Sequence, residues 1–583
     1  LKPIWLKCPR VSFLSSWLCR ASSLLLMLSS MLGRLITHSL PAQKHLPLQP
    51  SHASIHTQRL SRYGISLTQT QAGWPFKQSA AMSGMVLAGI ASSARSRRYR
   101  AQQRRQHRCL AGQRALSDDF LTFVNGTGSP AHTVAEVKRR LSQAGFKELQ
   151  EGMPWSLERG GLYFVTQQGT SICAFAVGGA FDPSAGGVVM AAAHTDSPCL
   201  KLRPCSEVPA KAGTVQLGVD TYGGGLWHTW FDRPLGFAGK VIIADGEGSD
   251  YGIEERLVRV AEPVCIIPNL AIHLQTPEER KAFAFNKETQ LRPVLCSPCG
   301  SSLGEGSQSA AESASKSESG GLLNLGARHH EDLLAKVAQA AGVDAKRILD
   351  IDLCLMDATP SSLMGSYVSS PRIDNVLSTW AAVDAIAAFA ESGALKSSSD
   401  LLVAASFDHE EVGSVSASGA DSAVLEAWLQ RALAALGEVQ WPEIAPRSFL
   451  LSCDCAHGLH PNYADKHQEQ HQPLLGKGIV IKTNSNQRYA TTPMLAQMVR
   501  ELGSRAGVPM QEFVVRNDCP CGSTIGPLLS AQLGVRTVDV GAPQWAMHSC
   551  RETAHSDDVG ALRDLCLALF ERFRGIDART KGL

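Results

Sequence analysis

Leu401-Leu-Val-Ala-Ala-Ser-Phe-Asp-His-Glu-Glu-Val-Gly-Ser414 runs from an uncharged, mostly apolar stretch straight into a pair of adjacent acids. A run this short, bounded by charge and glycine, reads as a buried strand, which puts Glu410 and Glu411 where a strand stops and a loop opens. In α/β folds, sites lie at those strand ends. Carboxylates this close repel, so a buried pair needs a cation or a shared proton. One acid can then bind a metal while the other moves a proton. Taken alone, the same residues also read as a solvated acidic turn.

The pattern recurs along the chain. His194 and Asp196 follow Gly187–Ala193, a second short apolar run. Asp196, two residues on and on the same side of an extended chain, can accept from the histidine and fix its tautomer. Asp374, in Pro371-Arg-Ile-Asp-Asn375, precedes an apolar stretch, Val376–Ala390, that reads as a helix; alone it is also a plain N-cap. Asp454 follows the strand-like Ser448–Cys453, with His457 three residues on. His548 comes after Val535–Val540 and a Gly-Ala-Pro turn. Each is individually compatible with a structural role. Together His194, Asp374, Glu411, Asp454 and His548 supply two imidazoles and three carboxylates, with Glu410 left over. That is the inventory of a two-metal hydrolytic centre, in which one carboxylate bridges the ions and a free one handles protons.

Ordered blocks extend the pattern: Ala193-His-Thr-Asp-Ser-Pro-Cys-Leu200, Thr221-Tyr-Gly-Gly-Gly225, Trp230-Phe-Asp-Arg233, Leu270-Ala-Ile-His-Leu-Gln275, His460-Pro-Asn-Tyr463, Asn484-Ser-Asn-Gln-Arg-Tyr489, Arg516-Asn-Asp-Cys-Pro-Cys-Gly522 and Ala546-Met-His-Ser549. With these, the chain from about Asp119 onward resembles the aspartyl aminopeptidase family of cocatalytic zinc metallopeptidases. The resemblance implies two Zn²⁺ per subunit, one held by His194 and Asp454, the other by Glu411 and His548, with Asp374 bridging. It makes Glu410 the general base and Asp196 the support of His194. It places His457, Lys482 and Tyr489 at the substrate, Lys482 facing the carboxylate of an N-terminal Asp or Glu. It also brings His273 to the site of a neighbouring subunit in a homo-oligomer, a dodecamer built from dimers.

The fold implied is α/β: a zinc-peptidase catalytic domain with a mixed, mainly parallel sheet flanked by helices, in parts 113–203 and 350–583. A β-rich dimerisation domain, 204–349, interrupts it and carries a low-complexity loop at 296–321. Two departures from the family pattern are His409 and Trp545, the latter a bulky ring close to His548. Two alternatives to acidic specificity stay open. One is the same enzyme with a broader neutral or basic range, which Lys482 argues against; the other is a self-assembling scaffold or cargo protein in which catalysis is incidental.

Composition agrees with this reading. A chain of 583 residues exceeds one core and calls for two folded domains plus appendages. No uninterrupted apolar run of about 18 residues demands a membrane span. No Asp or Glu precedes Asp118, and 17 of the 56 Lys and Arg lie there; the other 39 face all 53 acids, so the remainder carries about −14 against a whole-chain +3. An acidic body gives no support for nucleic-acid binding. The acid-free residues 1–112, rich in Ser, Ala, Leu and Arg, read as a targeting leader, with Met82 or Met85 as candidate starts. The address expected is a plastid or mitochondrion, with a basic disordered tail and a cytoplasmic protein as the alternative. Leu116–Gln150 reads as helical. Of the 16 cysteines, Cys296-Ser-Pro-Cys299 and Cys519-Pro-Cys521 are the closest to metal or redox pairs; reduced thiols in a reducing compartment are the expected state.

Overall fold

The computed structural model describes residues 112–245, 252–295, 325–437 and 439–581, all within the unit Ile90–Leu583. The leader expected over 1–112, except residue 112, and the low-complexity loop at 296–321 lie outside the described residues.

A nine-stranded sheet forms the centre, in the order Lys147–Glu148, Leu162–Gln167, Ser171–Val177, Leu401–Phe407, Val188–His194, Phe449–Cys453, Arg536–Gly541, Ile479–Lys482 and Met510–Phe513. The run Leu401–Phe407, Val188–His194, Phe449–Cys453, Arg536–Gly541 is parallel throughout. Both faces of these strands are buried, which is why they read as continuous apolar runs. Successive side chains still go to opposite layers. Val189, Ala191, Leu402 and Ala404 meet the core that contains Trp380 of the helix Ile373–Glu391 and Phe573 of the helix Ser556–Asp577. Val188, Met190, Val403 and Phe407 meet Trp428 and Leu429 of Val424–Ala435 and Leu529 of Ile525–Leu533. The architecture is the α/β class expected. Ile373–Glu391 is apolar and long enough to cross a bilayer, but Trp380 on it is 1% exposed, and the helix is a core element.

A second, six-stranded antiparallel sheet is ordered Leu217–Tyr222, Cys199–Glu207, Ile348–Asp357, Leu235–Asp245, Gly252–Ile266, Val294–Leu295. Its own core includes Leu235, Phe237, Val241 and Leu353, packed against Leu333, Leu334 and Val337 of the helix Glu331–Ala341. Positions 204 and 349, the expected borders of the insertion, fall inside its strands Cys199–Glu207 and Ile348–Asp357. A five-stranded sheet, Ser362–Met364, Tyr367–Ser370, Glu552–His555, Pro543–Trp545, Ala456–His457, lies in the second half of the chain.

One local reading is corrected. Leu116–Gln150 is not a single helix: helix 112–126 stops and a second, Pro130–Gln143, starts after Ser129, whose side chain accepts from the His132 amide. Gly126 and Gly128 with Ser129-Pro130 supply a break and a fresh N-cap, which outweigh the apolar spacing.

Candidate metal centre

Parallel register sets the site. Phe407 pairs with His194 and Ser452 with Ala192, so His194, the loop after Phe407 and Asp454 emerge side by side at one end of three neighbouring strands. Neighbouring strands lie about 4.8 Å apart, close enough for their end residues to share one ion. Asp374 enters from the start of Ile373–Glu391, where Arg372 takes a left-handed conformation and Asp374 and Asn375 depart from helical geometry. The bond between Asp374 and Asn375 is cis. Asn375 donates to the Cys453 carbonyl at 2.8 Å, which ties this helix start to the strand end beside it.

His548 sits in the loop between the paired strands Pro543–Trp545 and Glu552–His555, with φ +67°. A non-glycine residue there is strained unless its surroundings impose it. The surroundings do: the His548 amide donates to Glu552 at 2.7 Å, its carbonyl accepts from Leu226 at 2.8 Å, and the next amide but one, Cys550, donates to Thr229 at 2.8 Å.

Three three-residue groups result: His194 with Glu410 and Glu411, His194 with Asp374 and Asp454, and Asp374 with Glu411 and His548. The last two share Asp374. Its Oδ1 is 3.5 Å from His194 Nε2 and its Oδ2 is 3.6 Å from His548 Nε2, so each oxygen faces a different imidazole. Asp454 Oδ1 is 3.5 Å from His194 Nε2, and Glu411 Oε2 is 3.3 Å from His548 Nε2. Each histidine turns its Nδ1 to a main-chain carbonyl at 3.1 Å, His194 to Asp196 and His548 to Gly224. A carbonyl only accepts, so the proton belongs on Nδ1 and the Nε2 lone pair points inward, the ligating tautomer.

Charge makes the same case. Asp196, Asp374, Glu410, Glu411 and Asp454 converge with one buried ammonium, Lys482, among them. Burial pushes Glu411 up to about 7 and Glu410 well above the carboxylate range. Burial acts to raise Asp374 too, but the His194 and His548 rings beside it outweigh that and hold it low. Burial opposes charging His548, yet Asp374 and Glu411 carry it up to about 11. These shifts say that the carboxylates demand positive charge, which protons or divalent cations can supply. Asp374 Oδ1 and Glu411 Oε1 are buried with no hydrogen-bond partner among the described residues. Unpaired buried acceptors are costly, and a bound cation removes that cost. Oxygen and imidazole donors in two sets around one shared carboxylate fit zinc.

Asp196 organises the wall behind His194. It is fully buried, its Oδ1 3.2 Å from His194 Nδ1, and it accepts from the amides of Glu410 and Glu411 at 3.1 Å each and from Tyr222 Oη at 2.7 Å. Glu410 belongs to neither group around Asp374; its Oε2 is 3.7 Å from His194 Nε2.

Asp374, Glu410, Glu411, Asp454 and His548 open on a cleft of about 600 Å³, also lined by His457, Lys482, Arg488, Tyr489 and Thr524. Lys482 Nζ bonds Asp454 Oδ2 at 3.0 Å and the Cys455 carbonyl at 2.9 Å, and lies 5.3 Å from the Tyr489 ring centre. His273 is not brought to this cleft; it is exposed on the short helical turn Ile272–Leu274. Trp545 faces a neighbouring depression, its indole N–H donating to the Leu459 carbonyl at 2.8 Å, so the ring does not wall the cleft itself. His409 turns to Ser416 at 2.8 Å. Two contributors went unread in the sequence. Tyr222 stood within a quoted block, but nothing local aims its hydroxyl at Asp196. Glu552, 2% exposed, accepts from the amides of both His548 and Asp374 at 2.7 and 3.0 Å; set between Arg551 and Thr553, it carries no signal of burial.

Residues 123–573 match the family model described as Aminopeptidase I zinc metalloprotease (M18). A relative described as a probable aspartyl aminopeptidase, from Ricinus communis, is 40% identical over 479 residues, covering 80% of this chain and 97% of the relative. Among solved structures, Ape4 from a cryo-EM complex with Nbr1 superposes with a TM-score of 0.74 at 38% identity, covering 80% of this chain and 88% of that one. The S. cerevisiae mApe1 dodecamer gives 0.68 at 27% identity, covering 80% and 98%.

Proposed function

Because this chain belongs to the M18 family of aminopeptidase I zinc metalloproteases, and is therefore a metallo-aminopeptidase, we propose that its substrates are peptides with an N-terminal Asp or Glu. The observation that carries the reading is the pair of ligand groups sharing Asp374, in a cleft that also holds cationic side chains. Two zinc ions per subunit are proposed: His194 and Asp454 would hold one, Glu411 and His548 the other, and Asp374 would serve both. Bound zinc supplies Lewis acidity, lowering the pKa of water and polarising the scissile carbonyl.

The protein's own groups do the rest. Glu410, outside the two groups that share Asp374, takes a proton from the attacking water and returns it to the departing amine nitrogen. Asp196 keeps His194 turned inward and holds the Glu410-Glu411 backbone. Lys482 braces Asp454 and offers a donor to the substrate's acidic side chain, and His457 and Tyr489 complete the walls. His273 is proposed to act at the cleft of a neighbouring subunit. Its turn exposes Leu270, Ile272 and Leu274, apolar surface suited to burial between copies. A homo-oligomer, a dodecamer built from dimers, is the assembly proposed, supported by the dodecamer of the S. cerevisiae relative, with an organelle as its compartment.

The test is hydrolysis of matched peptides beginning with Asp, Glu, Leu or Lys, by zinc-loaded and chelated protein. Chelator-sensitive preference for Asp and Glu is expected. Equal turnover of Leu or Lys peptides would overturn the specificity, and no turnover by folded, zinc-loaded oligomer would favour a scaffold.

A further inference from the structure

We propose that Asp539 is a positioning residue for the substrate: its buried carboxyl group clamps two segments of the cleft wall, the turn that carries Tyr489 and the loop that ends at Thr524, and so sets how tightly a peptide is held. The proposal rests on the reading of this cleft as the peptide site and deepens it.

Asp539 is the sole acid in the four parallel strands, set as Val538-Asp-Val540 in Arg536–Gly541. Val538 and Val540 enter the core that contains Phe573, so Asp539 points to the opposite layer, and it is fully buried there. A carboxyl group in such a place is costly unless donors meet it. The donors come from the cleft wall. Thr524 Oγ1 donates to Asp539 Oδ1 and the Ala490 amide to Oδ2, each at 2.6 Å, and the Asp539 amide donates to Thr491 Oγ1 at 3.0 Å. Gly526, in the first turn of the helix Ile525–Leu533, leaves the room, since a Cβ there would lie 2.3 Å from Asp539 Oδ1.

The two clamped segments, 483–492 and 514–524, belong to no helix or strand, so their places depend on such anchors. They are also tied to each other, Ser523 Oγ donating to the Arg488 carbonyl at 3.2 Å. Arg488, Tyr489, Gly522, Ser523 and Thr524 from these segments line the cleft. A third part of the wall adjoins the same strand: Ile479–Lys482 runs antiparallel to Arg536–Gly541, with Ile481 opposite Val540, which sets the strand end that carries Lys482 beside Asp539. The residues Asp539 bonds, Thr524, Ala490 and Thr491, include no proposed zinc ligand. Its loss therefore falls on peptide binding and spares the metal.

The experiment uses the full-length, zinc-loaded enzyme and the peptide that it cleaves best. A lower folded fraction reduces the apparent kcat and leaves KM where it was, whereas a displaced wall raises KM. For Asp539→Ala, KM is expected to rise about tenfold or more with kcat and zinc content close to wild type. Asp539→Asn should recover most of the binding, because the Thr524 hydroxyl can turn and accept from the amide while Oδ still accepts from Ala490. Thr524→Val, which removes one bond and leaves the buried acid in place, should raise KM by about fivefold, with Thr524→Ser restoring it; it decides the matter if Asp539→Ala does not fold. A folded Asp539→Ala or Thr524→Val enzyme with KM within about twofold of wild type overturns the proposal. So does an Asp539→Asn KM as high as that of Asp539→Ala. Tyr489→Ala separates the two readings: if it raises KM where the Asp539 and Thr524 variants do not, only the clamp falls, and if it too leaves KM unchanged, the reading of the cleft falls and this proposal with it.

Discussion

Replacing Asp196 by Asn changes one atom and should cost the centre about two orders of magnitude in zinc affinity. The carboxylate meets four donors, His194 Nδ1 at 3.2 Å, the Glu410 and Glu411 amides at 3.1 Å, and Tyr222 Oη at 2.7 Å. Burial acts to raise its pKa, but those bonds prevail and keep it ionised. The amide nitrogen of Asn must take one side. On the Oδ1 side it confronts both His194 and Glu410. On the Oδ2 side it confronts the Glu411 amide, while Tyr222 can rotate and accept, so this side is preferred. One buried N–H is then unpaired, at about 1–3 kcal/mol, and the bonds that remain lose their charge assistance. The sum is about 3 kcal/mol, roughly a hundredfold in a binding constant. The loss falls on metal, because the group released is the backbone amide of the ligand Glu411, while the His194 tautomer survives through the Asp196 carbonyl at 3.1 Å. Zinc affinity is read by competition with a chromogenic chelator, with circular dichroism as the folding control. A folded Asp196→Asn variant that holds zinc within threefold of wild type would refute the reasoning.

Glu410→Gln should keep zinc and lower kcat by about 10²–10⁴-fold, the usual worth of a positioned proton-transfer group; retention of more than a tenth of the activity would remove Glu410 from that role. Lys482→Met should slow Glu-initiated peptides by roughly tenfold or more and Gln-initiated ones by less, because it removes the donor offered to the acidic side chain as well as the 3.0 Å partner of Asp454. Equal losses on both would remove Lys482 from the side-chain contact. Asp558 offers a pH test away from the metal. Burial raises its pKa from 3.8 to about 7, although it accepts from the amides of Gly476 and Gly478. Between those values the folded chain holds a proton that the unfolded chain has released, so stability falls as pH rises from about 4 to 7, by roughly 4 kcal/mol from this group. Denaturant unfolding of Asp558→Asn should show a flatter profile over that window, and superimposable slopes for variant and wild type would count against the assignment.

What could be read directly from the residues was local. Leu401–Phe407, Val188–His194 and Phe449–Cys453 announce buried strands because both of their faces pack against helices, leaving a single polar residue in each run, Ser406, His194 and Ser452. The acids and histidines just beyond them stand out for that reason, and the ligand inventory followed. Where the spacing and the backbone chemistry disagreed, as over 116–150, periodicity misled: it registers the buried face and misses a cap at Ser129.

Only the tertiary structure decided how those groups meet. Sequence distance hides that Glu552 and Asp374, 178 positions apart, share a hydrogen bond, or that Tyr222 reaches Asp196. It equally hides that Lys482 is paired with Asp454, since it looks like a plain cation in the chain. Apolar patterning follows from each residue's own hydration and is therefore written locally. Whether a charge is buried, paired or available depends on which distant donor or acceptor the fold sets beside it, and that is a property of the packed structure alone.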